Sequence, residues 1–215
     1  MKSITLLGSA GVLIALCWSS QATVLAPGTI GLDPAQAPGP APIATLVTPF
    51  SFTSPIGTVS GTITSWVVSD PANPLGGLSF YYQVLNTGSE GISRVSTSDF
   101  GIIPGAPVDV STVTAPFATS VTGGVAPFTA TRSSDGTTVG FLFIGPQEVL
   151  PGQSSVVMVV NTQYPSFQLS VGAVIDSSSV NVAILGPVPE PSTAIAGSLL
   201  LIPLAAGALR VARKR

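Results

Sequence analysis

The sequence predicts an all-β body, a single β-sandwich of jelly-roll or immunoglobulin-like type, and three observations lead to that prediction. Short β-type runs follow one another over residues 43–186. Turn residues separate the runs at short intervals, and no segment of useful length in this region has helical periodicity. The runs give about eight to ten strands, the number expected for one sandwich domain.

Two alternating runs predict the clearest strands, Thr58–Val68 and Leu78–Asn86. In each run, apolar residues recur at every second position, which indicates a strand with one buried face. The predicted inward residues are Val59, Ile63 and Val67 in the first run, and Leu78, Phe80, Tyr82 and Val84 in the second. Between the runs, Asp70–Gly77 reads D-P-A-N-P-L-G-G, the composition of a long turn.

Further strands are predicted along the rest of the body. They are Ile92–Phe100, Val108–Thr114, Phe117–Thr122, Val125–Arg132, Thr138–Ile144, Val156–Val160, Phe167–Ile175 and Val180–Leu185. Asp135 and Gly136 form a hairpin signal between two of them, because both residues tolerate positive φ. The continuous apolar runs Val139–Ile144 and Val156–Val160 predict strands that are covered on both faces.

The first 22 residues have the features of a Sec-type signal peptide. Lys2 provides a positive charge, an apolar run follows, and Ser20-Gln21-Ala22 offers small residues for cleavage after Ala22. An uncleaved signal anchor is the alternative. Residues 23–42 then form a proline-rich lead-in, which we expect to be extended because proline prevents a helix and removes backbone donors. The signal sequence is expected to be a helix that precedes the body.

The C-terminal segment, residues 187–215, contains three successive parts. Residues 188–192 read V-P-E-P-S, and residues 193–209 carry no charge. The uncharged run is at the short end of the roughly 17–25 residues that span a bilayer as a helix. The basic end, residues 210–215, contains Arg210, Arg213, Lys214 and Arg215. Such a cluster marks the cytoplasmic end of a transmembrane helix. A buried core helix is the alternative.

These three parts, in this order, resemble the PEP-CTERM sorting signal of Gram-negative bacteria, a tail also described as an "ice-binding protein C-terminal" segment. The resemblance implies that an exosortase recognises Pro189, Glu190 and Pro191, and that the protein associates with exopolysaccharide or biofilm matrix. Three segments of the body, Asn73–Asn86, Arg94–Phe100 and Thr138–Ser155, also resemble exported PEP-CTERM proteins of unknown activity. That likeness implies no active site.

The two ends predict the same topology. A Sec-type signal directs the body out across the inner membrane, whereas the basic tail stays in the cytoplasm. We therefore expect a precursor that spans the membrane once, and then a product at the cell surface or in the extracellular matrix. The expected partners are the Sec machinery, an exosortase and, as a candidate, exopolysaccharide.

The composition of the body excludes several kinds of chemistry. Between residues 23 and 186 there are eight carboxylates and two arginines, a net charge of −6, and there is no histidine, lysine or cysteine. Nucleic acid is therefore not expected as a partner. Without these residues the body cannot form a Ser-His-Asp triad, a Ser-Lys dyad or a typical zinc site. We predict a non-enzymatic protein without a cofactor.

Carboxylate chemistry is the remaining catalytic alternative. A pair of carboxyl groups can hydrolyse a glycosidic bond, and the candidates are Glu90, Asp99, Asp109 and Glu148. Solvated surface charges are the competing interpretation. Calcium is a further alternative, with Asp70, Asn73 and Asp99 as oxygen ligands.

Carbohydrate binding is the second functional hypothesis. Trp66 lies on the polar face of its strand pattern, with Thr62 and Thr64, and Tyr81 lies on the face opposite Tyr82. Exposed aromatic rings at these positions would offer a surface for a glycan. The competing interpretation is that Trp66 fills the sandwich core, since large aromatic residues are mostly buried.

Overall fold

The computed structural model describes residues 24–101, 105–113 and 124–188. Its strands, in chain order, are β1 (Ala44–Thr53), β2 (Thr58–Val68), β3 (Ser79–Asn86), β4 (Arg94–Thr97), β5 (Val108–Val113), β6 (Thr129–Arg132), β7 (Val139–Leu142), β8 (Val157–Thr162), β9 (Phe167–Ile175) and β10 (Ser179–Pro187). A single 3-10 turn, Gly145–Gln147, precedes β8.

The strands form two antiparallel sheets of five strands each, which confirms the predicted all-β body. The order is β1-β2-β3-β8-β5 in the first sheet and β10-β9-β4-β7-β6 in the second. β2 and β9 begin and end at the predicted residues, whereas β4 is shorter than predicted. Asp99 follows β4 with φ at 74°, a left-handed conformation that cannot continue a strand.

One hydrophobic core is shared by the inner faces of the two sheets. It contains the predicted inward residues of β2 and β3, among them Ile63 and Phe80, together with Phe141 and Ile184 of the second sheet. Phe80 also meets Phe100 edge to face, with ring centroids 5.9 Å apart. Such an aromatic pair adds about 0.5–1.5 kcal/mol beyond the area that it buries. Alternation therefore correctly predicted the core face of these two strands.

The apolar residues at alternate positions of β9 lie on the outside of the second sheet. Leu169 is 68% exposed and Val171 is 50% exposed, whereas Ser170 and Gly172 are buried. Gly172 lies close to the core residue Ile184 and to the backbone of β4, so the inner face of β9 has small residues where its neighbours approach. The period of two thus predicted the strand but not its orientation.

β1 was not predicted as a separate strand. It contains Pro49, which lacks a backbone donor and argues against a central strand. The structure accommodates Pro49 because β1 is the edge strand of the first sheet, where among the described strands it pairs with β2 alone. Along this edge β1 meets β10 of the second sheet, where Thr48 Oγ1 donates a hydrogen bond to Ala183 O at 2.7 Å.

The continuous apolar runs have different outcomes. All six residues of β8 are buried, which confirms the prediction for Val156–Val160. The prediction is wrong at the end of the Val139–Ile144 run, because Leu142 is half-buried and Ile144 is 45% exposed. The hairpin between β6 and β7 is confirmed, with Gly136 at φ 76°. The predicted strand Phe117–Thr122 lies outside the described residues.

The lead-in runs along the edges of both sheets. Leu25 and Asp33 donate backbone hydrogen bonds to β5, at Val108 O and Val110 O, both at 2.8 Å. Between these contacts, Gly31 N donates to Ala130 O of β6 at 2.9 Å. The extended conformation was predicted, but the docking was not. This arrangement covers the edge strands β5 and β6, which would otherwise present unpaired backbone groups.

Arg132 lies where the lead-in joins the two sheets. Its side chain is 3% exposed. Its guanidinium donates hydrogen bonds of 2.8–3.1 Å to four main-chain carbonyl oxygens, which belong to Leu25, Phe100, Ala106 and Gly136. Burial lowers its pKa from the usual value. A buried cation is stable only when its donors are satisfied, so Arg132 links three loops to β6.

The targeting segments lie outside the described residues. They include the predicted cleavage site at Ala22, the sorting residues Pro189, Glu190 and Pro191, and the basic tail. Within residues 24–101, 105–113 and 124–188 there is no helix long and apolar enough to span a membrane.

Candidate functional site

The outer face of the first sheet carries a polar row that crosses three strands. The strand register aligns Ser79 of β3 with Asn161 of β8, and Asn161 with Asp109 of β5. Ser79 Oγ donates to Asn161 Oδ1 at 2.7 Å, and Asn161 Nδ2 donates to Asp109 Oδ2 at 2.7 Å. All three side chains are buried, although they lie on the face opposite the shared core.

A second apolar cluster lies beside the polar row. It consists of Val68, Tyr81, Val113, Val157 and Val159, with Trp66 packed against it. Trp66 and Tyr81 are direct partners in the β2–β3 ladder. All five members of the cluster are buried, so the outer face of this sheet is covered around them, whereas Val47 of β1 and Leu85 of β3 on the same face are exposed.

The lead-in provides the cover. Gln36 is anchored by its backbone N–H, which donates to Thr112 O at 2.8 Å. Its side chain bridges the two groups of residues: Nε2 donates to Tyr81 Oη at 3.2 Å, and Oε1 accepts from Asn161 Nδ2 at 3.1 Å. Farther along, a Cβ added at Gly39 would lie 2.6 Å from Tyr81 Oη. Glycine therefore lets the chain approach the ring closely.

The burial of this face changes the acidity of its ionisable groups. Burial raises the pKa of Tyr81, and the neighbouring Asp70 adds to the rise. Tyr81 Oη donates to Asp70 Oδ2 at 3.3 Å. The pKa of Asp109 rises to about 6, chiefly because of burial and further because of its contact with Asp33, while the bond from Asn161 opposes the rise. The Asp33 carboxyl is thus within hydrogen-bonding reach of Asp109.

The two predicted glycan contacts lie side by side, but they do not form an exposed aromatic platform. Tyr81 is fully buried beneath the lead-in, and Trp66 is half-buried. Trp66 does not fill the shared core either, so that competing interpretation is wrong. Tyr82 does lie in the core, where its hydroxyl donates to Leu185 O at 2.7 Å.

The four predicted carboxylates do not all have the same surroundings. Asp109 is 3% exposed and contacts Asp33, a residue that the sequence did not single out. Asp99 Oδ2 accepts a hydrogen bond from Ser170 Oγ of the second sheet at 2.6 Å. The remaining two carboxylates lie next to glycines, Glu90 beside Gly57 and Glu148 beside Gly91.

Two of the three predicted calcium ligands, Asp70 and Asn73, make hydrogen bonds within the Asp70–Gly77 turn, whereas Asp99 contacts Ser170. Asp70 Oδ1 accepts from Ala72 N at 2.9 Å, and Asn73 Oδ1 accepts from Leu75 N at 2.8 Å. Asn73 Nδ2 also donates to Thr162 O at 3.0 Å, which ties the turn to β8. Among the described residues, no three or more histidine, cysteine, aspartate or glutamate side chains are grouped so that they could hold a metal ion.

The sequence reasoning missed the role of Asp33, Gln36 and Asn161. A signal was available for Asn161 and Asp109, because each is a polar residue within an apolar strand, in V-M-V-V-N-T and V-D-V-S-T-V. Asp33 and Gln36 gave no comparable signal in the proline-rich lead-in.

No family model, curated protein or solved structure matches this chain.

Proposed function

We propose that this chain is an exported protein of the cell surface or exopolysaccharide matrix, without enzymatic activity, that an exosortase sorts by its C-terminal segment. One observation carries the proposal: residues 188–215 contain V-P-E-P-S, then an uncharged run and then a basic end. The signal-like residues 1–22 support export. In this proposal the precursor crosses the inner membrane once, through the predicted helix 193–209.

The body is proposed to be a β-sandwich of jelly-roll or immunoglobulin-like type. The shared core of the two sheets supports this assignment, as does their contact along β1 and β10. The cover on the first sheet supports a scaffold role, since it buries Asp109, one of the four carboxylates considered for catalysis. Asp109 is 3% exposed and in contact with Asp33, whereas glycosidase carboxyls stand about 5–9 Å apart around the sugar.

The intact mass of the protein from the extracellular matrix of its native host tests the proposal. We expect a product that lacks residues 1–22 and the segment after Pro191. A product that keeps residues 193–215 and sediments with the inner membrane would contradict sorting. Any mass above that of the peptide chain would identify attached glycan.

A variant separates the sorting motif from the membrane segment. Replacing Pro189, Glu190 and Pro191 together by alanine is expected to keep the protein in the inner membrane and abolish the processed product. Pro203→Ala is the matched control, because it alters the uncharged run but leaves the motif intact. Equal processing of the two variants would mean that the motif is not the recognition element.

Carbohydrate binding is a second candidate, and one observation favours it. Trp66 lies outside the shared core and remains partly accessible on the first sheet. We expect Trp66→Ala to weaken retention on host exopolysaccharide, with Thr64→Ala on the same strand face as the control. Unchanged retention of Trp66→Ala would remove this residue from the binding surface.

A further inference from the structure

The Asp109 carboxylate has one oxygen that its surroundings leave unsatisfied. Oδ2 accepts the hydrogen bond from Asn161, but Oδ1 is buried and accepts none from the described residues. Asp33, the charged residue that contacts it, is also an acid. A buried charge without a compensating partner destabilises the folded state, so this oxygen calls for a bound positive charge or a proton.

The unsatisfied oxygen belongs to a residue that lines a cavity of about 140 Å³ between the lead-in and the first sheet. Its polar lining residues are Asp33, Gln36, Asp109, Ser111 and Asn161. All five carry side-chain oxygen atoms, and none carries a positive charge. Since a water molecule occupies about 30 Å³ in the liquid, the cavity has room for an ion and a few waters.

The buried arginine of β6 does not line this cavity. The Arg132 guanidinium is bound to four main-chain carbonyls elsewhere. Carboxylate oxygens with neutral oxygens around them are the ligands that hard divalent cations prefer. Calcium accepts an irregular set of six to eight such oxygens, whereas magnesium demands a nearly ideal octahedron.

We propose that the Asp33–Asp109 pair is a calcium site, which fastens the lead-in to the first sheet. Asp109 provides its free oxygen Oδ1 from β5, and Asp33 provides its carboxylate from the lead-in. Waters and main-chain carbonyls complete the coordination. With only two carboxylates, the site has a dissociation constant on the order of 10⁻⁴–10⁻³ M, the range of extracellular calcium modules. The site is independent of the sorting proposal, because it uses only residues of the body and its lead-in.

Thermal unfolding of the full-length protein, first in a chelator and then in millimolar calcium, tests the proposal. Calcium that binds only the folded state stabilises that state. A free calcium concentration ten times the dissociation constant corresponds to a rise in Tm of about 3–5 °C for a chain of this size. We expect this rise in the wild type and its loss in Asp109→Asn and Asp33→Asn. Glu148→Gln, which removes a carboxylate outside the cavity, keeps the rise.

Two further measurements make the result decisive. Calorimetric titration with calcium chloride is expected to give one site in the wild type and none in Asp109→Asn. Amide exchange at Asp33 and Gln36, whose N–H groups bond to β5, is expected to slow when calcium is added. An equal rise of Tm with magnesium, or a calcium response that persists in both aspartate variants, would overturn the proposal.

Discussion

The outer faces of the two sheets are covered to very different degrees. On the first sheet, five apolar side chains outside the main core are buried, Tyr81 and Val159 among them. On the second sheet, Phe167, Leu169 and Val171 are exposed by 37%, 68% and 50%. Apolar residues occur on both outer faces, at Val157 and Val159 of β8 and at Leu169 and Val171 of β9, so hydrophobicity alone does not account for the difference.

The lead-in accounts for it, because it lies over the first sheet and has no counterpart among the described residues on the second. Its backbone bonds to β5 and its Gln36 side chain bonds to Tyr81. A period of two in a sequence therefore predicts that a strand forms. Which face of the strand becomes buried depends on a segment far away in the chain. The following variants test whether the lead-in is that segment for the first sheet.

The largest effect is expected from the cation that joins the lead-in to both sheets. Arg132→Met leaves four main-chain carbonyls without their donors, and loss of one partner in such a buried network costs about 3–5 kcal/mol. Arg94→Met is the control, since Arg94 makes one long bond, to Thr131 Oγ1 at 3.4 Å, and its Nε is unsatisfied. Urea unfolding measures the loss in the free energy of unfolding for each variant. Similar losses in the two variants would refute the special role of Arg132.

A pH titration contrasts a covered carboxyl with an exposed one. The pKa of Asp109 is about 6 in the folded protein, against 3.8 ordinarily, so the folded state holds the proton more tightly. Stability in calcium-free buffer should fall by about 2–3 kcal/mol as the pH rises from 4 to above 6. Asp109→Asn removes this fall, and urea unfolding at several pH values measures it.

Asp135, in the β6–β7 turn, has the opposite behaviour. Its hydrogen bonds from Ser133 and Thr137 lower its pKa to about 2. The stability that it contributes is therefore present above its ordinary pKa and is lost as the pH falls towards 2. Asp135→Asn should alter only this acid limb. If it also removed the fall between pH 4 and 6, Asp109 would not be its source.

The same substitution on the two outer faces measures the cover directly. Val159→Ala removes methyl groups from a buried position, which costs about 2 kcal/mol through lost burial and a cavity. Val171→Ala removes them from a side chain that is half exposed, and we expect about 0.5 kcal/mol. The midpoints of urea unfolding give the two values. Equal costs would mean that the lead-in does not shield the first sheet.

The smallest effect is expected at the most exposed position of the second sheet. Leu169→Ser replaces a side chain that is 68% exposed, so the free energy of unfolding should change by no more than about 0.5 kcal/mol. The Tm of the variant tests this expectation. A large loss would show that another part of the chain covers this face in solution.

Much of the first sheet could be predicted from local sequence. Alternation gave the bounds of β2 and the inward residues Ile63 of β2 and Phe80 of β3, because one face of each strand meets the shared core. Asp135 and Gly136 gave the hairpin, because a turn depends on the conformations of adjacent residues. These features need only short-range information.

The covered site could not be predicted in the same way. Asp33 and Asp109 meet only because the lead-in returns to β5, and no local pattern records that return. The proline content of the lead-in correctly predicted an extended chain, but it gave no information on where the chain docks. The orientation of β9 was missed for another reason: its small inner residues Ser170 and Gly172 face the core, and Gly172 lies where Ile184 and the backbone of β4 approach.

The docked lead-in also sets the order in which the protein completes its fold. Residues 24–36 are synthesised before every strand of the two sheets, yet their partners lie on β5, β6 and β8, as late in the chain as Asn161. β8 itself pairs between β3 and β5, so the first sheet is incomplete until that strand has been made. Contacts between distant residues form slowly, because loop-closure entropy is lost before any contact is gained. We expect a long-lived folding intermediate in which the aromatic face around Tyr81 is uncovered and open to chaperones.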